Sequence, residues 1–184
     1  MLPGMQIHYR ALLIASLSTF SATASEVGDI SVPESSALER RVQTRNFTIM
    51  GFGPGSLSGL GDNGFVYHLQ GGWWREAHPN AAIRILSDFD FRPDIKTWKL
   101  DAGLGAVWMP SRDPISPFVG ADFGWGIADG RKWASGFTFG GSLGMQLFRT
   151  ASTQMSIEGR SSILLDDGFD RYPWANSLAL SVLF

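Results

Sequence analysis

Seven charged residues, Arg84, Asp88, Lys99, Asp101, Asp122, Glu158 and Arg160, are the strongest chemical candidates in this chain. They interrupt stretches in which apolar residues stand at every second position, so in extended strands all seven fall on the face opposite the apolar one. Glu158 and Arg160 share that face at i, i+2, and opposite charges on neighbouring strands attract directly across a ladder. Two chemistries suit such a cluster. One is a gated ion path; the other is a packed network of salt bridges and hydrogen bonds filling a closed interior. The packed network is the expected one, because the lumen of a small barrel is filled by its own side chains.

Other motifs carry weaker chemistry. His68 stands mid-strand on the charged face and reads as a satisfied polar residue, while His78, in REAHPN, lies in a predicted turn. The run FGPGSLSGLGDNG is glycine-rich like a phosphate loop, but no Lys follows the glycines and no helical pattern follows the run, so it reads as a strand end entering a loop. Asp166, Asp167 and Asp170 in DDGFD offer oxygen ligands to a divalent cation, although such a run is more often a solvated turn. No cofactor and no metal are expected.

Composition narrows the elements that position these residues. Lys and Arg number 15 against 17 Asp and Glu, which gives no signal for a polyanionic partner, and nucleic acid is not expected. No apolar run downstream of the N-terminus approaches the ~20 residues of a membrane-spanning helix. With 22 Gly and 7 Trp the chain suits strands better than helices. Residues 1–24 carry Arg10, an apolar segment from Ala11 to Phe20 and the small-residue site Ala22-Thr23-Ala24, the layout of a secretory signal. Cysteine is absent, so the exported chain has neither disulfides nor a lipid-attachment site. Residues 25–45 are polar and without sustained period, and read as a periplasmic leader.

From Asn46 onward eight segments alternate in hydrophobicity between Gly-, Pro-, Asp-, Asn- and Ser-rich connections. They span roughly 46–56, 64–74, 81–91, 97–109, 117–128, 136–148, 153–164 and 174–184. Their apolar parity includes Phe65, Tyr67 and Leu69, then Ile83 and Ile85, then Phe123 and Trp125, and finally Leu178, Leu180, Val182 and Phe184. Segment one, NFTIMGFGPGS, is apolar on both parities and its register stays open.

Period-2 alternation fits a soluble barrel with apolar residues inside or a membrane barrel turned inside out. Three features favour the second. Aromatics sit at strand ends: Trp98 and Trp108 are ten residues apart with small aliphatics between them. At about 3.3 Å per residue and a tilt near 40°, that separation projects to about 25 Å, the height of the apolar band of an outer-membrane barrel. Trp73, Trp98, Trp108, Trp125 and Trp174 then form an aromatic girdle at the headgroup levels. Second, glycines such as Gly103, Gly105, Gly120, Gly124, Gly126, Gly140 and Gly144 crowd the polar parity, as a narrow lumen requires. On this reading Leu104→Arg, near the midplane, destabilises by about 2–4 kcal/mol in a denaturant titration, and inward Gly103→Ser is expected to be far milder.

The third feature is the end of the chain. NSLALSVLF resembles the C-terminal signal by which outer-membrane proteins reach the barrel-assembly machinery, with Ser177, Ala179, Val182 and Phe184 in the signal's places. SPFVGADFGWGIA, GFTFGGSLGMQLF and TQMSIEGRSSIL likewise resemble strands of small OmpA-type outer-membrane β-barrels, and the resemblance covers about residues 46 to 184. It implies an all-β fold, an eight-stranded antiparallel up-and-down transmembrane β-barrel, in the outer membrane of a Gram-negative cell. Implied partners are outer-membrane lipid and lipopolysaccharide, the barrel-assembly machinery and periplasmic chaperones. The expected role is structural or that of a narrow pore, with no enzymatic activity. Some barrels of this shape modify lipid A, but that chemistry needs a His beside a Ser and an acidic orienter at the outer rim, and this chain lacks the His-x-Ser arrangement. A lipid-A-modifying enzyme and a soluble secreted β-barrel binder are the alternatives. The outward connections are short, and none is expected to be long enough to plug or constrict a lumen.

Overall fold

The computed structural model describes residues 44–61, 63–94, 96–111, 113–149, 151–166 and 172–184. Eight strands account for most of them: β1 (Arg45–Ser58), β2 (Gly64–His78), β3 (Ala81–Phe91), β4 (Trp98–Trp108), β5 (Ile115–Asp129), β6 (Ala134–Leu147), β7 (Gln154–Asp166) and β8 (Trp174–Leu183). Each pairs antiparallel with its sequence neighbour, and β8 returns to β1 to close the sheet. The expected secretory signal lies outside the described residues, as does most of the expected leader; Arg45, placed by sequence in the leader, is the first residue of β1. His78 is the last residue of β2 instead of a turn residue. The turn is Pro79-Asn80, and the Asn80 side chain donates to the Met109 carbonyl at 2.8 Å.

Register sets the shape. Following ladder partners from Phe47 through Trp74, Arg84, Gly105, Asp122, Gly140, Ser162 and Ala175 leads back to β1 at Leu57, ten residues further along. Eight strands sheared by ten residues must tilt by about 40° around a backbone cylinder of about 8 Å radius. That radius leaves room for side chains and for little else.

The outward parity is mostly apolar: Leu104 is 65% exposed and Leu143 71%, whereas inward Lys99 and Glu158 are fully enclosed. A polar core with an apolar coat is the reverse of soluble packing, and no helix among the described residues is long and apolar enough to cross a membrane. β1 resolves its ambiguous register by turning Phe47, Ile49 and Leu57 inward, with Met50 and Phe52 outward.

Inward apolar residues gather into two clusters, one at each end. The inner-end cluster joins Phe47, Ile49, Trp74, Leu86, Val107, Met109, Phe118 and Leu183. The other joins Leu57, Leu60, Val66, Ala128, Ala134, Leu164 and Ala175 near the opposite mouth. Leu60 comes from a connection, contrary to the expectation that no loop constricts the lumen. It is bracketed by Gly59 and Gly61 at φ of 87° and 101°, where the chain doubles back to put the side chain into the mouth. Gly103 also corrects an expectation: a Cβ there would lie 2.6 Å from the Phe123 carbonyl oxygen, so Gly103→Ser is not mild.

Candidate functional site in the barrel interior

Between the two apolar clusters the lumen is polar, because β3, β4 and β7 direct charged residues inward on one parity and β5 adds Asp122. Arg84 on β3 occupies the centre. Its guanidinium donates from Nε and one terminal nitrogen to the two Asp122 oxygens, each at 2.8 Å, and from the other terminal nitrogen to Glu158 Oε1 at 2.8 Å. Ser142 Oγ accepts a further bond at 2.7 Å, and the Trp74 ring lies 5.8 Å from the guanidinium carbon. Five directed donors let one Arg tie strands that face each other across the barrel, which a Lys in the same place does not do.

Arg160 extends the chain of charges, reaching Asp122 at 2.6 Å and Asp88 at 2.9 Å. His68 Nδ1 meets Asp90 Oδ1 at 2.8 Å, while its Nε2 stands 3.8 Å from Asp88, beyond hydrogen-bonding range. Lys99 forms a second group with Asp101 and with Ser162 Oγ, the latter at 2.8 Å. Thus five of the seven sequence-selected residues, Arg84, Asp88, Asp122, Glu158 and Arg160, share one continuous network, and Lys99 and Asp101 form the other. The glycines opposite them are the spaces these side chains occupy. A Cβ at Gly120 would stand 3.0 Å from the Arg84 guanidinium, and one at Gly140 would stand 3.2 Å from that of Arg160.

A third group was not singled out by sequence. Arg149, in the β6–β7 connection, folds back beneath the barrel and donates to Glu76 Oε1 at 3.1 Å and to the carbonyls of Pro79 and Ser111 at 2.6 and 2.7 Å. Gln146 and Gln154 complete it. Its backbone signal is Phe148, which adopts a φ of 57° so that Arg149 can reverse inward while its own ring stays outside. Glu76 and Arg149 sit at strand ends, where parity alone does not separate a lumen residue from a solvated one.

The Trp residues chosen for the girdle fall at two levels: Trp98, Trp125 and Trp174 toward the mouth containing Leu60, and Trp73 and Trp108 toward the other. Trp174, Trp125 and Trp108 are 48, 46 and 57% exposed. On β8, Ala179 faces inward and is buried, Ser177 faces inward and is half-buried, and Val182 and Phe184 face outward. Asp166 ends β7, and Asp167 and Asp170 lie outside the described residues; no group of three metal-binding side chains forms among the described ones.

No protein-family model matches the chain, and no curated protein matches it by sequence. Among solved structures, Neisserial surface protein A superposes with a TM-score of 0.66 at 10% identity, over 77% of this chain and 97% of that one. The fold is that of a small eight-stranded transmembrane β-barrel. The outer membrane enzyme PagL (14% identity, 75% of this barrel's chain and 98% of its own, TM-score 0.47) superposes more loosely. So does the N-terminal β-barrel domain of Pseudomonas aeruginosa OprF (11%, 76% and 100%, TM-score 0.46). At these identities the likeness concerns architecture, and what this barrel does must be argued from its own interior and wall.

Proposed function

We propose that this chain is an outer-membrane barrel with a structural role, closed to ions and without enzymatic activity. The observation that carries this reading is the stacking of three unlike layers along one narrow lumen: an apolar cluster, an ion-paired middle tied by Arg84, and a second apolar cluster. An ion entering from either mouth would meet a dry constriction before the central charged network. Desolvation there opposes entry, and the charges beyond are already neutralised by partners within hydrogen-bonding distance. His68 supports the non-enzymatic part. It is enclosed in the lumen against Asp90, with no path to a lipid substrate on the outer wall.

Partners follow from the same reading: membrane lipid along the apolar wall, and the assembly machinery at the exposed Phe184. The test is planar-bilayer recording on refolded protein, together with outer-membrane fractionation and heat-modifiable gel migration. The expected result is a membrane-embedded, heat-modifiable protein with no unitary current steps. Regular ohmic steps would replace the structural reading by a narrow pore, and a chain soluble without detergent would overturn the membrane placement.

A further inference from the structure

Apart from single polar residues such as Ser87 of β3, the apolar wall is broken along one rung. On a single ladder rung, Ser56 of β1 pairs with Asn176 of β8, and Asn176 pairs with Ser161 of β7. All three belong to the outward parity: Leu57, Ala175 and Ser162, their inward neighbours, are buried. Trp174 stands over the rung and donates its indole N–H to Ser161 Oγ at 2.7 Å and to Asn176 Oδ1 at 3.1 Å. Asn176 lies two residues inward of Trp174, which at a tilt near 40° places it about 5 Å below the aromatic girdle. At that depth a polar group without a partner costs free energy. Among the described residues, nothing in the barrel accepts from the Asn176 amide N–H groups or pairs with the Ser56 hydroxyl.

Beside the rung the wall is thin. Ser161 pairs with Gly141, a Cβ on Gly141 would meet nothing within 4 Å, and one on Gly159 would have its nearest neighbour at 3.7 Å. This short floor is bounded toward the membrane midplane by exposed Leu143 and Ile157, with exposed Leu178 beside Gly159 on β8.

We propose that the rung and this channel form a binding site for one N-acylated lipid, the amide at the head of an acyl chain meeting the rung and the start of the chain lying in the channel. The depth is that of the linkage between a lipid's head and its tails. The donor pattern selects the linkage: the Asn176 amide N–H donates to the acyl carbonyl, and the Ser56 hydroxyl accepts from the amide N–H. An ester linkage has no N–H and leaves the second bond unmade. The inference rests on the outer-membrane placement proposed above, since it requires this end of the barrel to sit in the leaflet containing such lipids.

The test uses the full chain refolded into phosphatidylcholine nanodiscs doped with lipid A, an N-acylated glucosamine disaccharide. Native mass spectrometry counts the lipid that each barrel retains after release. Wild type is expected to keep one lipid A in preference to phosphatidylcholine. Asn176→Leu removes the donor, and Gly141→Leu fills the channel where there is space for it; each is expected to weaken retention about tenfold, the equivalent of one good hydrogen bond or its chain contacts. Heat-modifiable migration shows that each variant is folded, and if Asn176→Leu fails to fold, Gly141→Leu decides alone. Equal retention by wild type and the folded variants overturns the site. Equal retention of phosphatidylcholine overturns the amide assignment, and a lipid-free dimer abolished by Asn176→Leu assigns the rung to a second copy of this chain. Current recordings on the same discs report on the structural reading independently of lipid retention.

Discussion

Arg84 shows what a single residue does in so narrow a lumen. It binds Asp122, Glu158 and Ser142 together from the centre, and among the described residues Glu158 has no other cation within salt-bridge distance. Removing one partner of a buried ion pair leaves an uncompensated charge, whereas replacing both by apolar groups is often close to neutral. Arg84→Met is therefore expected to cost about 3–5 kcal/mol in a guanidinium titration of the micelle-bound barrel, and the double variant Arg84→Met, Glu158→Leu should recover a large part of it. A loss under about 1 kcal/mol for the single variant would mean that the network contributes little. At this scale the sequence was legible in kind and illegible in pairing. Parity identifies which residues face the lumen. Which carboxylate meets Arg84 depends on the registers of every ladder from β3 to β7, and no local pattern contains those. Adjacent Trp73 and Trp74 make the same point: one faces lipid and the other the interior, and residue type does not distinguish them.

Strands were the most readable level, since two-residue periodicity survives in every segment with one buried face and ends where Gly, Pro and Asn collect. β1 was the exception for a physical reason. It supplies Phe47 and Ile49 to the inner cluster and Met50 and Phe52 to the lipid face, so both its faces are apolar and the alternation vanishes. Its middle is also where the sheet closes. Pairing with β8 runs from Ile49↔Leu183 to Phe52↔Leu180, lapses at Gly53 and Pro54, and resumes at Gly55↔Ser177. Pro54 has no N–H to give the ladder, and a Cβ on Gly53 would overlap the Leu178 carbonyl. Gly53→Val is expected to prevent the two strands from meeting. The measurable outcome is loss of the fast-migrating folded form on unboiled gels, while Gly71→Val, at a lipid-facing glycine with open space, should keep it. Equal folding of the two variants would show that the seam tolerates more separation than this geometry allows.

For the molecule as a whole, the terminal residue separates stability from delivery. Phe184 exposes its ring to lipid but exchanges two backbone hydrogen bonds with Thr48, at 2.7 and 3.0 Å, so deleting it would damage the seam as well as any assembly signal. Phe184→Ala keeps the backbone bonds. It removes one interfacial aromatic, worth about 1.5–3 kcal/mol at most, so refolding in micelles should persist while outer-membrane levels in cells fall. Normal levels of this variant would leave Phe184 as a girdle residue with no part in delivery. The inner cluster has one more consequence, for the order of events in folding. Phe47 and Ile49 come from the first strand and Leu183 from the last, so this cluster has the longest sequence separations in the barrel. Contacts among β2 to β5, such as Ala82 with Val107, form as hairpins are added, but those of Phe47 and Ile49 with Leu183 wait until the chain ends meet, and the entropy of bringing the ends together must be met first. Closure therefore completes the dry seal and the last ladder in a single step.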